Sequence, residues 1–120
     1  MSRLSEELRQ RTKHYASSVV RFYVALPRRR KEVEVLGHQL LRSGTSVTAL
    51  AREASRARSD LEFCSKLDGL LQEADESQLW LELLAEDCGV TGEHINQLLR
   101  ETTELLAIFV TIVSRVRRGM

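Results

Sequence analysis

Proline is nearly absent, with one residue in 120, and aromatic side chains make up only 5% of the chain. Six glycines leave little material for turns. A fold of many short strands needs frequent turn residues and β-branched or aromatic stretches, so this composition argues against it. No run of about eighteen apolar residues occurs, which excludes a transmembrane helix. The opening MSRLSEELRQRTK has no apolar signal core, so a cytoplasmic location is expected. Only two cysteines are present, Cys64 and Cys88. On one helix they would lie roughly 36 Å apart, too far for a disulfide, and both occupy apolar helical positions. They are expected to be small buried side chains in a reducing compartment. No Gly-rich phosphate loop, nucleophile elbow or Cys–His pair is visible.

Leucine, alanine, glutamate and arginine dominate instead, and they favour helix. The length suits a single domain spanning residues 1–120. Residues 1–13 carry only Leu4 and Leu8 as anchors and read as a frayed lead-in. Tyr15, Val19, Phe22 and Leu26 then fall on one helical face. Ala16, Val20, Tyr23 and Val24 form a second strip, which predicts a first helix buried on two sides. Pro27 ends it at Leu26. A second helix is predicted over about 31–54, with Val33, Leu36, Leu40, Val47, Leu50, Ala51 and Ala54 inward. Ser55 to Arg58 form a hinge, and Ser59 with Glu62 reads as a capping box for a third helix. That helix runs to about Asp87 and stops at Gly89, after which Thr91 can cap a fourth. The fourth repeats Ile95, Thr102, Phe109 and Val116 at intervals of seven, flanked by two further apolar rows. Four amphipathic helices with short connections predict an all-α, antiparallel up-down-up-down four-helix bundle.

The charges are unevenly placed. Residues 1–58 hold 13 Lys/Arg against 5 Asp/Glu, whereas residues 59–120 hold 5 against 12. Either basic and acidic helix faces pair within the bundle or between subunits, or a basic surface meets an anionic partner. Arg28, Arg29, Arg30, Lys31, Arg52, Arg56 and Arg58 are the candidates for phosphate contacts, because a guanidinium fork binds two oxygens at once. In an up-down bundle the 28–31 connector and the 55–58 hinge fall at opposite ends. A ring of subunits would repeat each cluster around its own rim and sum weak contacts.

The stretch GHQLLRSGTSVTALAREASRARSDLEFCSKL, residues 37–67, is the most specific pattern in the chain. Together with Arg11-Thr-Lys, Leu26-Pro27 and QEADESQLWLELL, it resembles the four-helix-bundle proteins encoded by intervening sequences in 23S rRNA genes. That family also takes in the accessory variability proteins of diversity-generating retroelements. The resemblance implies a left-handed bundle that assembles as a homopentamer, with a nucleic-acid-linked role. One position departs from the family pattern: Leu50 stands where asparagine is usual, so that of an Asn-x-x-Glu pair only Glu53 remains.

Arg42, Ser43, Ser46 and Glu53 suggest a polar network within the core stretch, setting helix register or forming a ligand pocket at the bundle end. Gly37 and Gly44, seven apart, read as a device for close packing of helix two against helix three. Leu79, Trp80 and Leu83 widen the third helix's stripe beyond one face. They mark either extra core or a subunit interface. The three histidines are scattered, no Glu-x-x-His pair appears, and neither metal nor cofactor is expected. Arg9 and His14 have a spacing found in helical-bundle ribonucleases, where arginine stabilises phosphate charge and histidine moves a proton.

The leading expectation is therefore a non-enzymatic homo-oligomeric scaffold or adaptor, in touch with RNA, DNA or a nucleic-acid enzyme. The alternatives are an interaction module with no nucleic-acid role, and a ribonuclease using Arg9 and His14.

Overall fold

A computed structural model describes residues 2–120 and contains four helices, with no strand among them. They are α1 (Glu6–Ala25), α2 (Lys31–Ser55), α3 (Asp60–Glu86) and α4 (Glu93–Arg118). Pro27 follows Leu26, whose extended backbone closes α1. The Ser59 hydroxyl accepts the Glu62 N–H at 3.0 Å and opens α3. The Glu62 carboxylate instead faces Arg58 at 3.4 Å, so only one half of the predicted capping box forms.

Two local expectations fail. Residues 2–13 are not a frayed lead-in: Ser5 caps α1 through the Leu8 N–H, Leu4 is buried, and the Arg3 N–H donates to the Ser55 carbonyl at 3.0 Å. The Arg3 side chain also donates to the Ala57 carbonyl and pairs with Asp60. Long-range anchors thus supply the order that the short apolar content of this segment does not. Nor does Thr91 cap α4. Gly92, at φ 121°, holds that position, and no side chain caps the helix. Gly89, at φ 70°, turns the chain after α3 so that the Val90 N–H reaches the Leu84 carbonyl.

Consecutive helices run antiparallel. Between α2 and α3, Arg42 meets Glu76, Ser43 meets Ser77, and Glu53 meets Lys66, so rising positions on one face falling positions on the other. Between α3 and α4, Gln78 meets Thr103 and Asp68 meets Arg117. Each helix packs on its two neighbours, and α1 closes the ring against α4. The result is a rod of 49 × 22 × 21 Å.

The core follows the predicted stripes. Val19, Leu40, Val47, Leu67, Leu70, Leu81, Leu84, Leu105 and Phe109 are fully buried. Cys64 and Cys88 are free thiols and buried, as their apolar positions predicted. The second strip of α1 departs from expectation, because Val20 and Val24 face outward, Val24 at 65% exposure. A four-helix ring can cover only one face of each helix.

Gly37 and Gly44 do bring a helix close, but it is α1 rather than α3. A methyl group on Gly44 would lie 2.9 and 3.0 Å from the two γ-carbons of Val19, and one on Gly37 would lie 2.7 Å from Leu26 Cδ1. The α2–α3 contact is built differently, with Leu50 lying over Gly69 at ordinary van der Waals distance. Leu50 thus packs against the only helical glycine of α3.

Candidate anion-binding cleft

The four helices each contribute one hydroxyl to a polar layer in the middle of the bundle. Tyr15 on α1 bonds Thr102 on α4 at 2.6 Å, and Ser43 on α2 bonds Ser77 on α3 at 2.7 Å. Thr102 donates to the Leu98 carbonyl and Ser77 to the Glu73 carbonyl. Each hydroxyl proton therefore has one acceptor, if Tyr15 donates to Thr102 and Ser43 to Ser77. Burial pushes the Tyr15 phenol above its ordinary pKa, opposed by its hydrogen bond to Thr102. A satisfied layer of this kind favours one register of the four helices and penalises slips that would orphan a hydroxyl. Only Ser43 was legible as a core polar residue. Thr102 lay in an apolar heptad row and Tyr15 on an apolar stripe, while nothing local marked Ser77.

The polar network expected around Arg42, Ser46 and Glu53 does not exist as a unit. Arg42 and Glu53 are exposed. Arg42 reaches Glu73 and Glu76 across α3, Glu53 takes Lys66, and Ser46 donates only to the Arg42 carbonyl. These residues lie on the outer edge of the α2–α3 seam, one position removed from the buried face that Ser43 occupies. Interhelical ion pairs of this exposure are worth about 0–1 kcal/mol each. They fix orientation more than stability.

Ion pairing absorbs part of the charge imbalance. Arg11 grips Glu101 bidentately at 2.7 and 2.8 Å and also meets Glu104, tying α1 to α4. Arg117 on α4 meets Asp68 on α3. Arg30 is committed too: it donates to the Cys88 carbonyl at 2.9 Å and pairs with Glu32, so it caps the end of α3 rather than presenting itself for phosphate. Arg28 lies over the Tyr23 ring, 5.1 Å from its centroid. Arg29 and Lys31 are exposed. The connector and the hinge lie at opposite ends of the rod, as antiparallel pairing requires.

At the hinge end the cations converge. Arg9 and Lys13 from α1 and Arg52 and Arg56 from α2 line one cleft of about 470 Å³, completed by Ser2, Gln10 and Ser55. The helix register makes this pairing unavoidable. Gly44 sits against Val19, Thr48 donates to the Thr12 carbonyl, and Arg3 meets Ser55. Continuing that register sets Arg9 and Lys13 opposite Arg52 and Arg56. No carboxylate lines the cleft among the described residues. The nearest, Glu6, reaches Arg9 only at 3.8 Å. Lys13, Arg52 and Arg56 join no ion pair among the described residues, and the Arg9 Nε is buried without a hydrogen-bond partner there. Three unpaired cations beside the weakly paired Arg9 raise the local potential and favour an anion. Arg58 stands outside the cleft, highly exposed and loosely paired with Glu62.

Lys13 escaped the sequence reading. The signal was present as two basic pairs spaced four apart, 9/13 and 52/56, on helices that had to be antiparallel neighbours.

Arg9 and His14 do not form the ribonuclease arrangement. Five residues on a helix turn roughly 140°, which points them to different faces. Arg9 lines the α1–α2 cleft, while His14 borders a separate groove between α1 and α4 with Ser18, Gln97 and Glu101. A Ser–His contact does occur nearby, Ser18 Oγ to His94 Nε2 at 2.9 Å, with His94 edge-on to Phe22. It ties α1 to the start of α4.

Of the proposed interface residues, Leu79 is 46% exposed, whereas Trp80 and Leu83 are half-buried. Trp80 packs on the core, and its indole N–H is buried with no partner among the described residues. No helix is long and apolar enough to cross a membrane, and no cluster of three potential metal ligands occurs, among the described residues.

The fold is shared with a crystal structure of a protein of unknown function from the S23 ribosomal protein family of Bacteroides thetaiotaomicron. The two chains are 33% identical, with a TM-score of 0.79 over 88% of this chain and 96% of that one. No curated protein matches the chain. The sequence matches the family of 23S rRNA-intervening sequence proteins over residues 6–111, nearly the whole bundle, and the chain belongs to that family.

Proposed function

We propose that this protein is a non-enzymatic, cytoplasmic helical-bundle scaffold that assembles as a homo-oligomer, a pentamer, and engages nucleic acid through its basic end. The observation that carries the proposal is the cleft where Arg9, Lys13, Arg52 and Arg56 meet without a carboxylate among them. Like charges so placed destabilise a fold unless an anion joins them, and a phosphodiester backbone is the anion that such forks suit best. Repetition of the cleft around a ring would multiply weak contacts into useful affinity. The motif resemblance to retroelement accessory proteins points the same way. The outward strip of α1, with Val20 and Val24, and Leu79 on α3 supply apolar surface for subunit contacts.

Binding to duplex DNA and to single-stranded RNA should appear at low salt and weaken steeply as salt rises. Absent or salt-independent binding refutes the nucleic-acid part. Light scattering tests assembly separately. Leu79→Glu changes an exposed position and should leave the helix content intact while lowering the mass. Trp80→Glu is a poorer probe, because Trp80 packs on the core. An unchanged mass in Leu79→Glu removes that face from the interface, and a monomeric wild type refutes the scaffold.

One observation favours the reading without nucleic acid. Arg11, Arg42 and Arg117 spend their charges on acidic residues of other helices within the same chain. The imbalance between the two halves is thus partly internal, which leaves fewer cations for a partner.

A further inference from the structure

We infer that the α1–α2 cleft is a seat for two neighbouring phosphate groups, which it recognises without reading any base. This rests on the phosphate-binding proposal above and narrows it from a basic end to one cleft with a defined ligand chemistry.

The arrangement of donors makes the case. Arg9 and Lys13 are four apart on α1, about 5–6 Å between β-carbons, while Arg52 stands in the last turn of α2 and Arg56 is the residue that closes that helix. The two helices lie about 8–10 Å apart in a normal packing. The four cations therefore form a rectangle with two cross-helix edges. Each edge can hold one phosphate between a cation of α1 and a cation of α2, and the two seats follow one another along the helix direction, about 5–6 Å apart. Such a rectangle suits two phosphates joined in series better than one isolated anion. The cleft volume, about 470 Å³, lies in the ordinary range for ligand pockets.

Two details argue for a built site rather than a diffuse basic surface. The Arg9 Nε is buried without a hydrogen-bond partner among the described residues, although an unpaired buried donor normally costs about 1–3 kcal/mol. Several local hydroxyls are already committed: Ser55 donates to the Arg52 carbonyl and Ser2 to the Leu4 carbonyl. Charged nitrogens, with the Gln10 amide, are left to meet the ligand. The floor is also held from outside the cleft. Arg3 locks the residues before α1 to the α2–α3 hinge through Ser55, Ala57 and Asp60, so the two helix ends keep their spacing.

The lining also sets what is not recognised. No aromatic or apolar side chain lines the cleft among the described residues. Base stacking needs an aromatic platform, and sequence reading needs groups that reach base edges. With no aromatic platform and four cations, phosphate oxygens are the ligand atoms the cleft suits best, and the two phosphates can belong to a nucleic-acid strand or to a free diphosphate.

The test is calorimetric titration of the full chain at low salt with inorganic phosphate, pyrophosphate, and the oligonucleotides U12 and A12. Wild-type protein should bind pyrophosphate once per chain and at least tenfold more tightly than phosphate. The double variant Arg9→Gln/Arg52→Gln should weaken pyrophosphate at least tenfold, while Arg28→Gln/Arg29→Gln at the far end leaves it unchanged. Arg28, Arg29 and Arg52 are exposed and Arg9 is partly buried, so melting by circular dichroism checks that both variants unfold as cooperatively as wild type. For RNA, loss of two phosphate contacts should reduce the slope of log K against log salt by about 1.4, equally for U12 and A12. Pyrophosphate binding that depends on Arg9 and Arg52 supports the seat with a free diphosphate as its ligand; with RNA binding absent it overturns the nucleic-acid reading, and with RNA binding unaffected it overturns the cleft as the place where RNA binds. RNA binding that persists in the cleft variant, without pyrophosphate binding by wild type, overturns the seat and leaves nucleic-acid contact to other basic residues. No binding in either arm overturns both.

Discussion

Replacing Gly44 by alanine should destabilise the protein, although alanine is the better helix former. In an exposed helix interior the exchange would gain about 1 kcal/mol. Here the new methyl would stand 2.9 and 3.0 Å from the two γ-carbons of Val19 and 3.3 Å from its β-carbon. Val19 is fully buried and β-branched, so it has essentially one helical rotamer and no space to swing into. Relief requires α1 to move away from α2, and overpacking of this kind costs about 1–3 kcal/mol. The cost offsets or exceeds the gain, and a net loss of up to about 2 kcal/mol is expected. Gly37→Ala provides the internal control. Its methyl would meet Leu26 Cδ1 at 2.7 Å, the far end of a flexible side chain at the helix terminus. Leu26 can shift its far end, and the Tyr23 ring edge at 3.3 Å has to give only slightly, so that exchange should cost less than Gly44→Ala. Urea denaturation at a fixed protein concentration measures both, the concentration being held constant because assembly adds to apparent stability. The double variant Gly44→Ala/Val19→Ala should show a favourable coupling, since the clash partner has been removed. A Gly44→Ala protein as stable as Gly37→Ala would refute the close approach of α1 at Val19.

The polar layer makes a pH prediction. Tyr15 has a raised pKa in the folded protein, so its contribution is fully present below the unfolded value, near 10, and is lost as pH rises through the folded value. Wild type should lose stability above about pH 10 faster than Tyr15→Phe, and parallel curves would refute the burial of the phenol. At neutral pH the same variant should cost about 0.5–1.5 kcal/mol for one buried hydrogen bond, read by urea denaturation. Ser59→Ala removes a helix cap and should cost about 1 kcal/mol, whereas Thr91→Ala should cost almost nothing because Gly92 occupies the cap position.

The helices were legible because their causes are local. Pro27 removes a donor, Ser59 supplies a cap, Gly89 accepts a left-handed turn, and each acts within a turn or so of its own position. The fourth helix was clearest, since its heptad rows became the buried face almost unchanged. Errors arose where distant contacts overrode a local rule. Residues 2–13 looked too polar to be ordered, yet Arg3 and Leu4 are held by the hinge fifty residues away. Arg42 and Glu53 looked like core polar groups because they neighbour core residues in sequence. A rotation of about 100° per residue carries them to the surface.

Sequence by itself determined that this chain forms four amphipathic helices, where α1 stops and α3 starts, and which stripe of each is apolar. Periodicity and capping act along one helix and need no partner. Only the tertiary structure decided that Gly37 and Gly44 receive α1 rather than α3. It also decided that four hydroxyls from four helices share one layer, and that Arg9 and Lys13 face Arg52 and Arg56. These are matters of rotation and register between helices, settled by which side chains interlock across the bundle. A periodic stripe is compatible with several such settings, and the close fit of Gly44 on Val19, with the bonds at Thr12 and Ser55, selects one of them.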